Sequence, residues 1–415
     1  MIPRRVVHLR SMPVAFSQIV AARLRIDGAV INTTCRESRT LSSLCGCTVL
    51  TKREYMQQTG SFKERGACNA LMQLGAAQRA RGVIAASAGN HALALAFHGS
   101  RLGIPVTVVM PRHAPLIKQA RCHQLGAKVI LHGQDIAEAK VHAETLIAEH
   151  GYSYVHGFDG LEVIAGAGTI GLELVEQAPD LYAIICPIGG GGLIAGLALA
   201  VKETKPSIRI IGVEPVHCAS FAAALEAGTP VRVNGRPTLA DGLGVPQVGA
   251  NAFEIARTRV DEVVSVTEEE IALAILRLVE MEKGVVEGAG AVPLAALIGG
   301  HLPHLAGKRV ALVLCGGNID PAVLGRVIEF GLVTDGRLAR FSAYISDRPG
   351  GLQEFASVAA ATGASIKQVE HERAFSSADM SRVKILATVE VRDRSHAEEL
   401  FAALSAKGMQ IVDRT

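Results

Sequence analysis

Apolar and polar positions alternate along this chain in a repeating order. A short run of consecutive apolar residues is followed by a stretch with helical spacing, and then by another apolar run. Val14, Ile19, Val20 and Leu24 recur near a helical period, predicting an amphipathic helix over 14–26. After a polar patch from Asn32 to Ser43, Cys47–Leu50 reads as a short strand, and 66–80 resumes helical periodicity. A buried-type strand from Val83 that ends in the small residues before His91, and strands at 105–110 and 127–131, then alternate with helices at 92–102, 115–125 and 135–150, followed by Tyr154-Val155-His156. A Gly-rich entry at Ala165–Thr169 leads into another helix within 162–178. The alternation continues through a strand at 183–188, a helix from Leu193, a strand at 208–214, a loop at 229–250, a helix at 268–282 and a strand at 310–314. Repeated βα units of this kind predict a parallel sheet covered on both faces.

Past Gly331 the grammar changes. Phe341–Ile345 alternates as a strand, and Asp347-Arg348-Pro349-Gly350 is a turn into a helix. Strands at 365–372 and 383–391, a helix at 395–407 and a last short strand at 409–413 complete a βαββαβ unit of ferredoxin-like type. The predicted domains are therefore 1–332 (α/β), a linker at 333–340 marked by Asp335-Gly336, and a small α+β domain at 341–415.

Composition narrows the function classes. At 415 residues, more than one core is expected. A net charge of +3 with basic residues dispersed, no tryptophan and 4% aromatics argue against a nucleic-acid partner or a membrane surface. The eight cysteines form no CxxC pair, so they read as reduced thiols and not as a disulfide or zinc framework. Met1-Ile2-Pro3-Arg4-Arg5 is like the start of a signal peptide, but Arg10, Arg23 and Arg25 interrupt any apolar core. A soluble cytoplasmic protein is the resulting expectation.

Candidate chemistry sits where strands end. In Thr59-Gly60-Ser61-Phe62-Lys63-Glu64-Arg65-Gly66, Lys63 reads as a nucleophile, with Phe62 as an apolar wall and Arg65 as a nearby cation to lower its pKa. By itself the octet reads as a pair of solvated charges at a helix start, the usual fate of an isolated lysine, and only the motifs that follow overturn this. The strand ending in Ser87-Ala88-Gly89-Asn90-His91 points short side chains and N–H groups out of a sheet's carboxyl edge, where Asn90 serves equally as a helix cap or a ligand contact. Gly189-Gly190-Gly191-Gly192 follows a buried-type strand and precedes an apolar helix, a pattern that lets successive N–H groups converge on a phosphate. Glu287-Gly288-Ala289-Gly290-Ala291 and Cys315-Gly316-Gly317-Asn318 add two more small-residue turns.

Together, and in this order, those motifs resemble the threonine/serine dehydratases, pyridoxal-phosphate enzymes of the tryptophan-synthase-β fold (fold type II), from about residue 15 to 330. The tail resembles an ACT-type regulatory domain. The resemblance implies pyridoxal 5′-phosphate as cofactor, with Lys63 holding its aldehyde and later removing the substrate Cα proton. It implies Phe62 lying against the ring, Asn90 on the 3′-oxygen, Gly189 to Gly192 on the phosphate, Glu287 among the cofactor contacts, and Cys315 at the pyridine nitrogen. Ser87, Ala88, Gly89 and His91 would receive the substrate carboxylate, Ser87 with a catalytic part. The implied activity is ammonia elimination from L-threonine to 2-oxobutanoate, with L-serine as a side substrate. The alternatives are a serine dehydratase or racemase-like enzyme, a β-replacement synthase, and a non-catalytic amino-acid sensor. Racemases of this type carry a serine where this chain has Ala88, which cannot hold a proton.

Racemase-like members also bind a divalent metal through positions that here are Glu214, Cys218 and Ser220, the last replacing an Asp, so no divalent metal is expected. Leu93, Ala167, Thr34-Cys35 and Tyr55–Gln58 depart from the family pattern. Asp347, Arg348, Pro349 and Gly350 occupy the turn where such tails bind free amino acids, so isoleucine or valine is one expectation and a purely oligomeric role the other. A homodimer or homotetramer is the general expectation.

Overall fold

The computed structural model describes residues 13–372 and 381–414. The expectation for Met1 to Arg5 and Arg10 lies outside the described residues. The chain divides into two compact units, ending and starting at Asp320 and Pro321.

The first unit contains two sheets. Six strands lie in the order Cys35–Glu37, Thr48–Lys52, Arg309–Val313, Ala183–Pro187, Arg209–Pro215 and Glu262–Val266. All neighbours are parallel except the first pair. The second sheet is wholly parallel, in the order Lys128–Leu131, Val106–Met110, Val83–Ala86, Ser153–Tyr154. The central strand Ala183–Pro187 is buried at every position, and helices Gly192–Thr204 and Gly288–Ile298 are buried along most of their length. These segments read as unbroken apolar runs because strands and helices that are covered on every side leave no polar face to alternate with.

Three local expectations are corrected. The predicted helix at 66–80 is two, Lys63–Met72 and Ala76–Arg81, separated at Leu74-Gly75, and the first begins at Lys63 itself. The Gly-rich stretch 165–169 is not an entry loop, because it lies inside helix Leu161–Gln177. Its glycines allow helices to touch backbone to backbone: a Cβ on Gly166 would strike the Arg65 carbonyl, and one on Gly168 would lie 2.9 Å from the Gly196 carbonyl oxygen. The polar patch 32–43 contains strand Cys35–Glu37 and most of helix Arg39–Cys45, capped by Ser38 Oγ accepting from Leu41 N at 3.1 Å.

The second unit opens with helix Pro321–Thr334, so the break falls before the predicted linker at 333–340. Gly325 and Gly331 inside an apolar stretch obscure this helix in the sequence. Strands Ser365–Glu372, Arg382–Glu390, Leu338–Ser346 and Gln410–Arg414 form an antiparallel sheet in that order. Helices Gly351–Thr362 and Arg394–Ala406 pack Phe355, Leu400, Phe401 and Leu404 against Phe341, Ala343, Ile385 and Ala387. No helix among the described residues is long and apolar enough to cross a membrane.

Candidate active site

Lys63 starts its helix directly after Ser61-Phe62, which are laced to the distant Cys315-Gly316 turn. Ser61 bridges Gly316, and Phe62 N donates to Cys315 O at 3.0 Å. Lys63 Nζ donates to the Gly157 carbonyl and lies 5.1 Å from the centroid of the Phe62 ring. Burial pushes this amine down to about 8, against the opposing pull of Cys315 and Glu287.

Arg65 does not supply that shift, contrary to the sequence expectation. It is fully buried and forks onto two carboxylates: Nη1 and Nη2 donate to Glu173 at 2.6 and 2.8 Å, and Nε and Nη2 donate to Glu54 at 2.8 Å each. Lys52 Nζ joins them, donating to Glu173 Oε2 and to the Thr33 carbonyl at 2.6 Å. This closed cluster of two cations and two carboxylates anchors the first turn of the lysine's helix from behind.

The tetraglycine turn joins strand Ala183–Pro187 to helix Gly192–Thr204. Gly191 adopts φ +88°, and side chains on Gly190 and Gly192 would collide with the ring and the carbonyl of Phe158. Phe158 is held in place by the His156 imidazole, whose Nδ1 accepts from Phe158 N at 3.3 Å and from Asp159 N at 3.0 Å. The amine and the glycines are thus one residue apart through Gly157-Phe158. The N–H groups of Gly189, Gly190 and Gly191 find no backbone acceptor among the described residues.

Asn90 is the first residue of helix Asn90–Leu102. Its Nδ2 donates to Glu287 Oε1 at 2.7 Å, and its Oδ1 accepts from Asn318 Nδ2 at 2.9 Å. Asn318 N donates to Glu287 Oε2 at 3.1 Å, and Asn318 Nδ2 also reaches Thr59 O at 2.6 Å. Burial raises the Glu287 carboxyl to about 7. Cys315 is fully buried beside it, and burial raises its thiol well above the usual range, so it stays neutral.

Ser87 Oγ accepts from Gly89 N at 3.3 Å, and a Cβ on Gly89 would meet open space. His91 is placed differently from its neighbours. Its Nε2 meets Val155 O at 3.0 Å, and burial pushes the imidazole down to about 3. Ala88 packs against the apolar cluster of the smaller sheet. Glu214, with burial raising its carboxyl to about 7, spends both oxygens on the N–H groups of Phe221 and Ala222 at 2.7 and 2.9 Å. Asp347, Arg348, Pro349 and Gly350 form an exposed turn in the second unit.

Sequence reasoning missed Gly157, Phe158 and Asn318. Only the last carried a signal, as the closing residue of a strand-to-glycine turn. A pyridoxal phosphate fits these residues. An amine partly deprotonated at neutral pH can engage its aldehyde, a glycine cradle with unclaimed N–H groups its phosphate, and a neutral thiol its ring nitrogen.

Comparisons with known proteins point to the same cofactor. The family described as "Pyridoxal-phosphate dependent enzyme" matches residues 26–316. An L-threonine ammonia-lyase of Thermotoga maritima is 42% identical over 96% of this chain and 99% of its own. The processed threonine deaminase isoform 2 of Solanum lycopersicum superposes with a TM-score of 0.73 at 34% identity, over 77% of this chain and 95% of that one. Maize serine racemase does so at 0.73 and 33%, over 77% and 98%. With a family match over most of its first unit and a relative alike along nearly its whole length, the chain belongs to the pyridoxal-phosphate dependent enzymes.

Proposed function

We propose that this protein is an L-threonine ammonia-lyase, converting L-threonine to 2-oxobutanoate and ammonia, with L-serine as a lesser substrate. The observation that carries the reading is the buried amine of Lys63, set one residue from a tetraglycine cradle. Resemblance to the Thermotoga maritima L-threonine ammonia-lyase over both units supports it.

Pyridoxal phosphate, when bound, supplies an electron sink for the substrate's Cα carbanion. The residues do the rest. Lys63, with its pKa lowered by burial, takes and returns the Cα proton. Phe62 backs the amine. Asn90, fixed by Glu287 and Asn318, presents its amide to the cofactor's ring oxygen, and Gly189 to Gly192 hold the phosphate end. Cys315, kept neutral by burial, would put no negative charge against the ring nitrogen of a bound cofactor and so would not hold it protonated. Ser87 and the open turn at Gly89 orient the substrate carboxylate, while Ala88 and the internally bonded His91 shape the wall.

The likeness to maize serine racemase favours a second reading, racemisation. Ala88, a half-buried hydrocarbon side chain packed against the core of the smaller sheet, supplies no acid on the opposite substrate face and weighs against it. The second unit, an ACT-like fold in this reading, adjusts activity in response to a small amino acid.

Incubating purified holoenzyme with L-threonine and assaying 2-oxobutanoate tests the assignment. Turnover is expected with threonine and, more slowly, with serine, and D-serine should form from L-serine only in trace. Absence of any 2-oxo acid would reject the proposal.

A further inference from the structure

One buried carboxylate beside the site has no part in the chemistry above. Glu64 follows Lys63 in sequence and is wholly buried, yet it stands apart from the cluster of Arg65, Glu54, Glu173 and Lys52. Its Oε1 accepts from the backbone N–H of Thr59, and its Oε2 lies 3.4 Å from Nε2 of His98. His98 is buried too, and neither that oxygen nor that nitrogen has a hydrogen-bond partner among the described residues. A carboxylate and an imidazole withdrawn this far from water are tolerable only as a pair.

Both oxygens of Glu64 lead to Asn90. On the Oε2 side, Glu64 sits in the first turn of helix Lys63–Met72, and His98 sits farther along the helix that Asn90 begins, Asn90–Leu102. The two helices share an apolar cluster that includes Ala67 and Leu71 from one and Ala94 and Leu95 from the other. Surfaces of small and aliphatic residues leave more than one register open, and a buried polar pair selects one. On the Oε1 side, Thr59 gives its carbonyl to Asn318 Nδ2 at 2.6 Å, and the same Nδ2 donates to Asn90 Oδ1 at 2.9 Å. The turn itself touches that amide, since Gly60 has φ +77° and a Cβ on it would lie 2.7 Å from Asn318 Oδ1.

We propose that Glu64, paired with His98, is a positioning residue that fixes the Asn90 amide relative to the Lys63 amine. It acts through the helix contact on one side and through Thr59 and Asn318 on the other. Pyridoxal phosphate carries its aldehyde and its ring oxygen on adjacent ring carbons, so the two groups that meet them must keep one separation. This role rests on the cofactor contacts assigned above to Lys63 and Asn90, and it is independent of which amino acid is turned over.

The experiment titrates full-length apoenzyme with pyridoxal phosphate, records the visible absorbance of the product, and follows denaturant unfolding of the apoenzyme in parallel. None of these readouts uses a substrate, so failure of the threonine assignment would leave them standing. In Glu64→Leu/His98→Leu hydrocarbon replaces the pair, a change that is often neutral for stability. Its cofactor dissociation constant should rise about tenfold or more, with an altered visible spectrum. Adding Asn90→Ala should bring no further loss, because both changes act on one contact. Glu64→Gln keeps an oxygen for the Thr59 N–H and offers an N–H to His98, so its affinity should stay within about threefold of the unaltered chain. Where the double variant does not fold, His98→Asn gives the same reading: it breaks the helix tie alone, weakening binding with nothing added by Asn90→Ala. Unchanged affinity and spectrum in the folded variants, losses that add to those of Asn90→Ala, or a loss in Glu64→Gln equal to that of the double variant would overturn the proposal. Unchanged affinity in Asn90→Ala alone would overturn the contact assigned to Asn90 and this role with it.

Discussion

Two lysines of the first unit, eleven residues apart in sequence, both lose water in the fold, Lys52 wholly and Lys63 in part, and burial lowers the pKa of both. Lys52 lies fully buried in the cluster behind the lysine helix, and Glu173, Glu54 and the Thr33 carbonyl counter the loss of water. Lys63 lies in front of that helix with a single carbonyl partner, and no carboxylate bonds it. The same side chain is therefore a structural cation in one place and, under the proposed function, the reagent in the other. What separates them is the count and charge of hydrogen-bond partners, since burial is common to both.

The largest expected effect is on catalysis. Lys63→Met should abolish threonine turnover by roughly 10³-fold or more, with the cofactor's visible absorbance band lost and the thermal transition unchanged or raised. Lys52→Met should do the reverse. It leaves Glu173 and Glu54 short of a cation and is expected to cost about 3–5 kcal/mol of stability by denaturant unfolding, with kcat per folded molecule preserved. Equal losses of activity and stability in both variants would erase the distinction.

Gly192→Ala tests the other end of the site. A methyl facing the Phe158 carbonyl must displace backbone, so cofactor affinity should fall by about tenfold or more, measured by titrating apoenzyme, with little change in kcat at saturation.

The pH dependence of cofactor uptake sharpens the contrast further. A base whose folded pKa is lowered is protonated below that value and free above it. Capture of pyridoxal phosphate by apoenzyme should therefore accelerate as pH rises through about 8 and level off beyond it. A midpoint near the ordinary lysine value would show that Lys63 is hydrated. The smallest effect is Ser87→Ala, expected to raise KM for threonine about tenfold and to change kcat less, as for one hydrogen bond to a carboxylate.

Much of this arrangement was legible in the chain. Apolar runs between small-residue turns announced the parallel sheets, and the turns named Lys63, Asn90, Gly189 to Gly192 and Cys315. Arg65 was misread because its partners, Glu54 and Glu173, lie 11 and 108 positions away, and only the fold reveals that its charge is taken. Gly157 and Phe158 were invisible because they act through a carbonyl and through shape, which leave no motif. Helix Leu161–Gln177 was broken in the reading because glycine weakens an isolated helix, whereas here it permits close crossing.

Those crossings make helix Leu161–Gln177 an internal gauge block. One of its faces rests on the carbonyl of Arg65, in the helix that bears the reactive amine, and Gly196, in the helix behind the phosphate cradle, abuts its Ile164 and Gly168. The spacing between the Lys63 helix and the tetraglycine turn is thus set by bare main chain. A single added methyl at Gly166 would push the Lys63 helix away and detune that spacing without substituting any candidate site residue.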